Sequence, residues 1–321
     1  MKKPRSWLGE EFSTVAHGFS RARHTPDKMV TTMRSRLIPL LMFGCVAVTL
    51  PLLAQTDPDW TRPFPPFRIV GNIYWVGSYD LSTYLITTPE GNILINTGIG
   101  DTAKQIKASV EQLGFKITDT KILTATHGHY DHAAGMAELK RMTGARLVVE
   151  ERDKELFESG GKTDFLFGDR PSFRFDPVTV DATFKDNDTI ALGGTVLTAH
   201  LHPGHTKGST SFTLNVQDGG KTYRVAIANM GSINPGTVLS GARPSYPGIG
   251  DDYARTFKAQ KDMAIDIWLA SHASQFKMLE KHKPGDPYDP ERFVDPQGFK
   301  ASVEELEKKY QDQLAHERTR R

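Results

Sequence analysis

The segment Thr126–His132, with the sequence THGHYDH, constrains this chain more than any other stretch. It holds four potential metal ligands: His127, His129, Asp131 and His132. An apolar run before it, Ile122–Ala125, predicts a buried strand. Side chains on a turn directly after a strand can converge on one point, and imidazoles with a carboxylate suit zinc or a similar divalent ion. We therefore predict a metal site and disfavour a polar turn whose histidines cluster by chance.

Two further histidines lie where apolar runs end. His205 follows the predicted strand Thr195–His200 on a Pro-Gly turn, and His272 follows the predicted strand Ile265–Ala270. A catalytic zinc keeps three protein ligands and one position for water, so six candidate ligands exceed the need of one ion and fit two. The other histidines after residue 54 are expected to be structural or solvated (His200, His202) or at the surface (His282, His316).

Residues 1–54 are predicted to be an N-terminal extension with a secretory signal peptide, and residues 55–321 the folded domain. Leu37–Ala54 is an apolar stretch of 18 residues that follows Arg34 and Arg36, the order of a signal peptide. A membrane-spanning helix is the alternative, because this length is near the spanning minimum. Two prolines inside the stretch favour a signal peptide over a membrane-spanning helix. A signal peptide in turn predicts that the protein is periplasmic. Met29 or Met33 would serve as a start for a signal of ordinary length.

Charge and cysteine content narrow the class of partner. Residues 1–54 hold eight Lys/Arg and three Asp/Glu, so the rest of the chain has a net charge of −3 instead of +2. That balance gives no argument for nucleic acid or an anionic membrane. The single cysteine, Cys45, lies in the extension, so the domain has no disulfide and no thiolate ligand. The residues before Cys45 match a lipidation site poorly. We expect a monomer without a stable membrane anchor that acts on a small molecule.

Strands and helices alternate in two similar halves. The first half predicts strands and two helices, in the order Ile69–Val76, Ser82–Thr87, Asn92–Asn96, a helix stopped by Gly114, the strand before the motif, a helix stopped by Gly144, and Arg146–Glu150. The second predicts strands Thr189–Leu192, Thr195–His200, Thr210–Val216 and Tyr223–Ala228, helix Asp251–Met263, strand Ile265–Ala270 and a helix from Phe299. Because no composition break marks a second domain, we predict an α/β fold, a single four-layer αββα sandwich.

Two less regular segments carry aromatic side chains. Trp60–Phe67 alternates prolines and aromatics and is expected to be an extended arm, because proline forbids helix. The segment Gly160–Phe167 combines glycines with phenylalanines. A surface loop with buried phenylalanines and a flap over the metal site explain it equally well.

Three motifs together resemble the metallo-β-lactamase superfamily: the His-x-His-x-Asp-His segment after a strand, the sequence PGHTKGS at Pro203–Ser209, and the histidine that ends the last strand. The chain resembles the third subclass of class B, since His132 stands where the other subclasses use a cysteine ligand. Glyoxalase-type thioesterases, lactonases and RNA-processing members of the superfamily add a bridging aspartate after a later strand. Here the corresponding strand, Tyr223–Ala228, ends in Asn229.

The resemblance implies the metallo-β-lactamase fold and two zinc ions. The first ion would bind His127, His129 and His205, and the second Asp131, His132 and His272. It implies hydrolysis of the β-lactam amide of penicillins, cephalosporins and carbapenems by a hydroxide that bridges the ions and is oriented by Asp131. Antibiotic resistance would follow. A dinuclear zinc hydrolase of thioesters or lactones is the alternative, and a non-catalytic secreted zinc-binding protein is a second one.

Three polar residues near the predicted ligands have open roles. Ser232 is available to bind the substrate carboxylate, but a turn serine that bonds its own backbone fits equally well. Thr206 follows a ligand and is expected to support it. Asn96 stands where much of the superfamily has an aspartate; an amide orients a neighbouring imidazole more weakly than a carboxylate, which puts the metal affinity in question.

Overall fold

Two sheets form the centre of the computed structural model, which describes residues 57–319. Seven strands of this part of the chain form the first sheet, in the order of the sequence: β1 (Phe67–Val70), β2 (Ile73–Trp75), β3 (Tyr84–Thr88), β4 (Gly91–Ile95), β5 (Thr120–Thr124), β6 (Arg146–Glu150) and β7 (Ala182–Phe184). Neighbours from β1 to β4 are antiparallel, and those from β4 to β7 are parallel.

The second sheet has five strands in the spatial order β12, β11, β10, β9, β8. Their bounds are β8 (Thr189–Leu192), β9 (Thr195–Leu201), β10 (Thr210–Asp218), β11 (Lys221–Ala228) and β12 (Ile267–Ala270). The α-helices of the described residues are α1 (Thr102–Gln112), α2 (Tyr130–Ala133), α3 (Met136–Thr143), α4 (Lys154–Ser159), α5 (Ile249–Lys261), α6 (Met278–Lys281) and α7 (Pro296–Thr319).

Burial divides these elements into four layers. One apolar core joins the facing sides of the two sheets and also takes in side chains of α5 and α7, such as Phe257 and Tyr310. A second core packs α1 and α3 on the other face of the first sheet, with Ile106 and Leu139 against Leu94. Because α1, α3, α5 and α7 each bury one apolar face, these helices lie outside and the sheets inside. The predicted single αββα sandwich is confirmed.

The boundaries of most predicted strands and helices agree with the structure within a few residues, but the first predicted strand is wrong. Ile69–Val76 is a hairpin of β1 and β2, because Gly71 turns the chain with a φ of +52°. A Cβ atom at Gly71 would lie 2.2 Å from Cγ1 of Val216, so the turn also packs tightly against the second sheet. The loop-rich region after Glu150 contains α4 and β7, which the sequence pattern did not predict.

The prediction that His282 lies at the surface is also wrong. Its side chain is buried, and its ring stacks on Phe67 with ring centroids 3.7 Å apart. The flanking lysines, Lys281 and Lys283, suggested an exposed position, but an imidazole can pack its flat face on an aromatic ring. His316 is exposed, as predicted.

The predicted extension and signal peptide, residues 1–54, lie outside the described residues, so that boundary stays a prediction. Within residues 57–319, no helix has both the length and the apolar composition to cross a membrane.

Candidate metal centre

Thr126 fixes the edge at which the site forms. Its carbonyl accepts a hydrogen bond from the N–H of Thr210 at 2.8 Å, which joins the end of β5 to the start of β10. Its hydroxyl lies 2.9 Å from Oγ of Ser271 at the end of β12. The loops that follow β5, β9 and β12 therefore meet at one edge of the sandwich, and each brings candidate ligands there.

Three imidazoles from two of these loops converge first. The ligand atoms of His127, His129 and His205 lie within 4.8 Å of one another. Their ring centroids are 4.7 or 4.8 Å apart in every pair, and Nδ1 of His129 is 3.1 Å from Nε2 of His205. We call these three residues the first ligand set. They are the ones that the sequence assigned to one ion.

The remaining candidates, Asp131, His132 and His272, form the second ligand set, which lies directly beside the first. Asp131, His132 and His127 also have ligand atoms within 4.8 Å of one another, so His127 borders both sets. Oδ2 of Asp131 lies 3.3 Å from Nε2 of His132 and 3.4 Å from Nε2 of His272. The structure thus brings all six predicted ligands together, including His272 from the distant end of β12.

Hydrogen bonds on the far side of the rings set which nitrogen faces the centre. His205 donates from Nδ1 to the carbonyl of Ser232 at 2.8 Å. Nδ1 of His127 lies 3.2 Å from Oγ1 of Thr126 and 2.8 Å from the side-chain amide of Asn229. In both residues these contacts occupy Nδ1, so Nε2 is the nitrogen that remains to bind a metal ion. His205 donates from its outer N–H to a carbonyl, as metal-binding imidazoles commonly do.

Two carboxylates orient two of the remaining three imidazoles, those of His129 and His272, in the same way. Nε2 of His129 lies 3.2 Å from Oδ2 of Asp164, leaving Nδ1 toward the centre. Nδ1 of His272 lies 2.9 Å from Oδ2 of Asp80, leaving Nε2 toward Asp131. A carboxylate that accepts the outer N–H fixes the tautomer and makes the inner nitrogen a stronger ligand.

The donor set fits a divalent cation. Nε2 of His127 and both ring nitrogens of His132 are buried, and none has a hydrogen-bond partner in residues 57–319. A buried polar atom without a partner costs about 1–3 kcal/mol, and several together at one point call for a common partner. Nitrogen and carboxylate ligands without a thiolate suit zinc.

Ionisation in the metal-free protein also favours cation binding. Burial lowers the pKa of His127 well below its ordinary value, and burial together with His129 lowers the pKa of His205 to about 3. Both imidazoles are therefore neutral at pH 7 and have a lone pair free. Burial alone would raise the pKa of Asp131, but His132 and His272 hold it well below the ordinary value, so this residue is a carboxylate.

Aromatic rings border the cluster. In the loop 160–175, Phe167 lies 5.2 Å from the ring of His129 and stacks on Phe173 at 4.5 Å. Phe173 in turn packs 4.9 Å from Tyr130, between centroids. From the N-terminal arm, Trp60 lies 5.6 Å from His272 and 6.1 Å from Tyr130. The 160–175 loop therefore lies against the ligands, which favours the flap over the alternative of a surface loop with buried phenylalanines.

The three polar residues with open roles all lie near the ligands without joining either set. Ser232 holds His205 through its carbonyl, and its hydroxyl is 3.3 Å from the same Nδ1 atom. Thr206 donates to Asp153. Asn96 accepts hydrogen bonds from the N–H and hydroxyl of Thr126, so it reaches His127 only through Thr126.

Sequence reasoning missed the three carboxylates that support the ligands: Asp80, Asp153 and Asp164. None of them stands at a sequence spacing from its partner that would indicate a contact. Asp80, for example, is 192 positions from the histidine that it contacts. By contrast, His200 and His202 are structural, as expected. They bond to Thr213 and Ser211 within the second sheet.

Comparison with known proteins agrees with this geometry. The family model described as metallo-β-lactamase superfamily matches residues 79–218. The structure of the class B3 di-zinc metallo-β-lactamase LRA-12, from an Alaskan soil metagenome, shares 49% identity with a TM-score of 0.78 and covers 81% of this chain and 98% of its own. GOB-18 from Elizabethkingia meningoseptica shares 45% identity with a TM-score of 0.79, over 82% of this chain and 96% of its own.

More distant similarity reaches another branch of hydrolases. A hydroxyacylglutathione hydrolase of Hyphomonas neptunium is 28% identical over 129 residues, which span 40% of this chain and only 41% of that protein. The matches to the solved structures of LRA-12 and GOB-18 are both stronger and nearly complete. The chain therefore belongs to the metallo-β-lactamase superfamily of metal-dependent hydrolases, and within that superfamily it groups with the class B3 enzymes.

Proposed function

We propose that this chain hydrolyses the amide bond of β-lactams with two zinc ions held by its two ligand sets. The observation that carries the proposal is the meeting of six histidine and aspartate side chains at one edge, as two adjoining sets without a thiolate. The similarity to LRA-12, a class B3 di-zinc metallo-β-lactamase, supports both the substrate class and the number of ions.

The ligand sets would supply the reactive centre, and other residues would hold the substrate. Zinc bound by three such ligands acts as a Lewis acid and lowers the pKa of bound water to about 7. Asp131, a buried carboxylate between His132 and His272, would orient the attacking water. Trp60, with Phe167 across the cluster, offers apolar faces for the body of the substrate.

Ser232 is the proposed partner of the substrate carboxylate. Its hydroxyl lies beside His205, at the same edge as the ligands. The contact with Nδ1 of His205 is long, at 3.3 Å, whereas the carbonyl of Ser232 already accepts from this nitrogen at 2.8 Å. The hydroxyl can therefore turn to a substrate without releasing the ligand.

Hydrolysis of a thioester or lactone is the second candidate, since the curated relatives include hydroxyacylglutathione hydrolases. The end of β11 argues against it. Asn229 stands there, its amide lies behind His127 at 2.8 Å from Nδ1, and it brings no carboxylate to a bridging position. The β-lactam substrate is therefore the better-supported proposal.

The deciding experiment measures turnover of a chromogenic cephalosporin beside a glutathione thioester and a lactone. We expect cephalosporin hydrolysis to be lost with a chelator, restored by zinc, and abolished in His205→Ala. His200→Ala is the matched control, because this histidine lies in β9, just before the loop that carries His205, but bonds to Thr213 outside both sets. Turnover of the thioester or lactone alone, with both zinc sites filled, would reject the proposal. The absence of any turnover with both sites filled would favour a zinc-binding protein.

We also propose that the protein is a periplasmic monomer that confers antibiotic resistance. The predicted signal peptide supports the location, and the proposed substrate supports the role. Three measurements test these statements separately: fractionation of expressing cells, light scattering of the purified protein, and growth of cells on β-lactams with and without the gene. Each is rejected by its own measurement: cytoplasmic activity, a larger mass, or unchanged susceptibility.

A further inference from the structure

Asp153 is a buried carboxylate directly before α4, and it bonds to both loops that carry the first ligand set. Its side chain is 1% exposed. Oδ2 accepts the N–H of Gly128 at 2.9 Å and the hydroxyl of Thr206 at 2.7 Å, while Oδ1 accepts the N–H of Gly208 at 2.7 Å. Every described partner of this carboxylate is thus a donor from a ligand loop.

These donors flank the first ligand set closely. Gly128 lies between His127 and His129 in the sequence, and Thr206 directly follows His205. One carboxylate therefore ties the loop after β5 to the loop after β9. A different carboxylate supports the second ligand set. Asp80 bonds directly to the imidazole of His272.

Close packing leaves these loops little room beside Asp153. A Cβ atom at Gly208 would lie 2.6 Å from Oε2 of Glu150 and 2.7 Å from the backbone nitrogen of Asp153. At Gly128, a Cβ atom would lie 2.9 Å from Cβ of Leu156. Both loops are therefore pressed on the segment 150–156, where the buried N–H groups of the two glycines need an acceptor.

We propose that Asp153 is a positioning residue for the first metal site: it holds the two ligand loops at the separation that the three imidazoles need. Loss of its bonds lowers the metal affinity of the first ligand set and leaves that of the second nearly unchanged. The inference rests on the metal centre of the proposed function but not on the identity of the substrate.

The test uses Asp153→Asn in the otherwise unchanged chain. Asparagine keeps the shape of the side chain, but its NH₂ group must face a donor, so at least one of the three bonds is lost. Metal-free protein is titrated with Zn²⁺ against a chromophoric chelator. Titration with Co²⁺ then identifies the sites by their absorption, because one set has three nitrogens and the other includes a carboxylate. We expect affinity to fall about 10- to 100-fold at the three-histidine site only.

Asp80→Asn is the matched control. It removes the outer carboxylate of His272, and the loss of affinity should then move to the second ligand set. Thr206→Val removes a single bond to Asp153 and should weaken the first site in the same direction but by less. This variant decides the matter if Asp153→Asn does not give the circular dichroism spectrum of the folded protein.

An unchanged first site, or an equal loss at both sites in a folded variant, would overturn the inference. Equal losses would mean that Asp153 supports only general stability. The result is separable from the proposed function, because metal affinities are measured without substrate. A protein that shows the selective loss but does not hydrolyse cephalosporin would keep this inference and reject the β-lactamase proposal.

Discussion

Oδ2 of Asp164 lies 3.2 Å from Nε2 of His129, so a residue of the 160–175 loop holds a ligand of the metal centre. The other oxygen of the same carboxylate accepts the N–H groups of Leu166 and Phe167 at 2.7 and 2.6 Å. One side chain thus orders the loop and orients the imidazole. The loop that borders the site and the site itself are therefore connected directly.

Two substitutions of Asp164 should separate these roles. Asp164→Asn can keep an oxygen for the loop N–H groups but loses the carboxylate beside His129, so zinc affinity at the first ligand set should fall about 10-fold or more. Asp164→Ala should cause the same loss and also loosen the loop. Limited proteolysis between residues 160 and 175 measures loosening, and a metal titration measures affinity. Equal cleavage of the two variants would contradict this division.

Metal binding at the second ligand set should release a proton from His272. Burial alone would lower its pKa, but Asp131 and Asp80 raise it to about 9, so His272 is protonated at pH 7 in the metal-free protein. A metal ion on Nε2 must displace that proton. The affinity of this set should therefore rise about tenfold per pH unit from pH 7 towards 9.

Calorimetric titration at pH 7.5, in buffers with different ionisation enthalpies, counts the released protons. Asp80→Asn should reduce the count, because it removes one of the two carboxylates that raise the pKa. The same shift stabilises the metal-free fold fully below the unfolded pKa of about 6.5, and this contribution is lost as the pH rises through 9. Metal binding to the wild type without proton release would contradict the assignment.

Trp60 should contribute to substrate binding more than to catalysis. Its ring lies 5.6 Å from His272 and is partly exposed, on the arm that precedes β1. An aromatic contact is worth about 0.5–1.5 kcal/mol, so Trp60→Ala should raise KM about 2- to 12-fold with little change in kcat. Trp60→Phe should retain most of the affinity. Steady-state kinetics with a cephalosporin would contradict the prediction if kcat fell and KM stayed constant.

Phe257 should control stability without touching a ligand. It is fully buried in α5, 5.6 Å from the ring of Tyr310 in α7. Phe257→Ala should lower the free energy of unfolding by about 3–5 kcal/mol, because it removes a large side chain and leaves a cavity. Urea unfolding of the metal-free protein measures the loss, and Phe257→Leu should cost less. A change below 1 kcal/mol, on the order of an ordinary surface substitution, would show that α5 and α7 can close the gap.

Local pattern was sufficient for the architecture, with informative exceptions. Apolar periodicity predicted α1, α3 and most strands, because one buried face per element leaves a repeat in the sequence. The errors lie where tertiary contacts override that signal. Gly71 breaks an apolar run by turning against Val216, and His282 is buried by Phe67 despite its charged neighbours.

The sequence alone was enough to name six candidate ligands, because metal chemistry needs particular residue types and a turn brings them together at short spacing. Only the tertiary structure decided how they are held. Asp80, Asp153 and Asp164 are ordinary aspartates in the sequence, and they reach the ligand loops across the fold. Any hydrogen-bond acceptor of suitable shape can orient an imidazole or a loop, so such partners leave no local signature and only folding selects them.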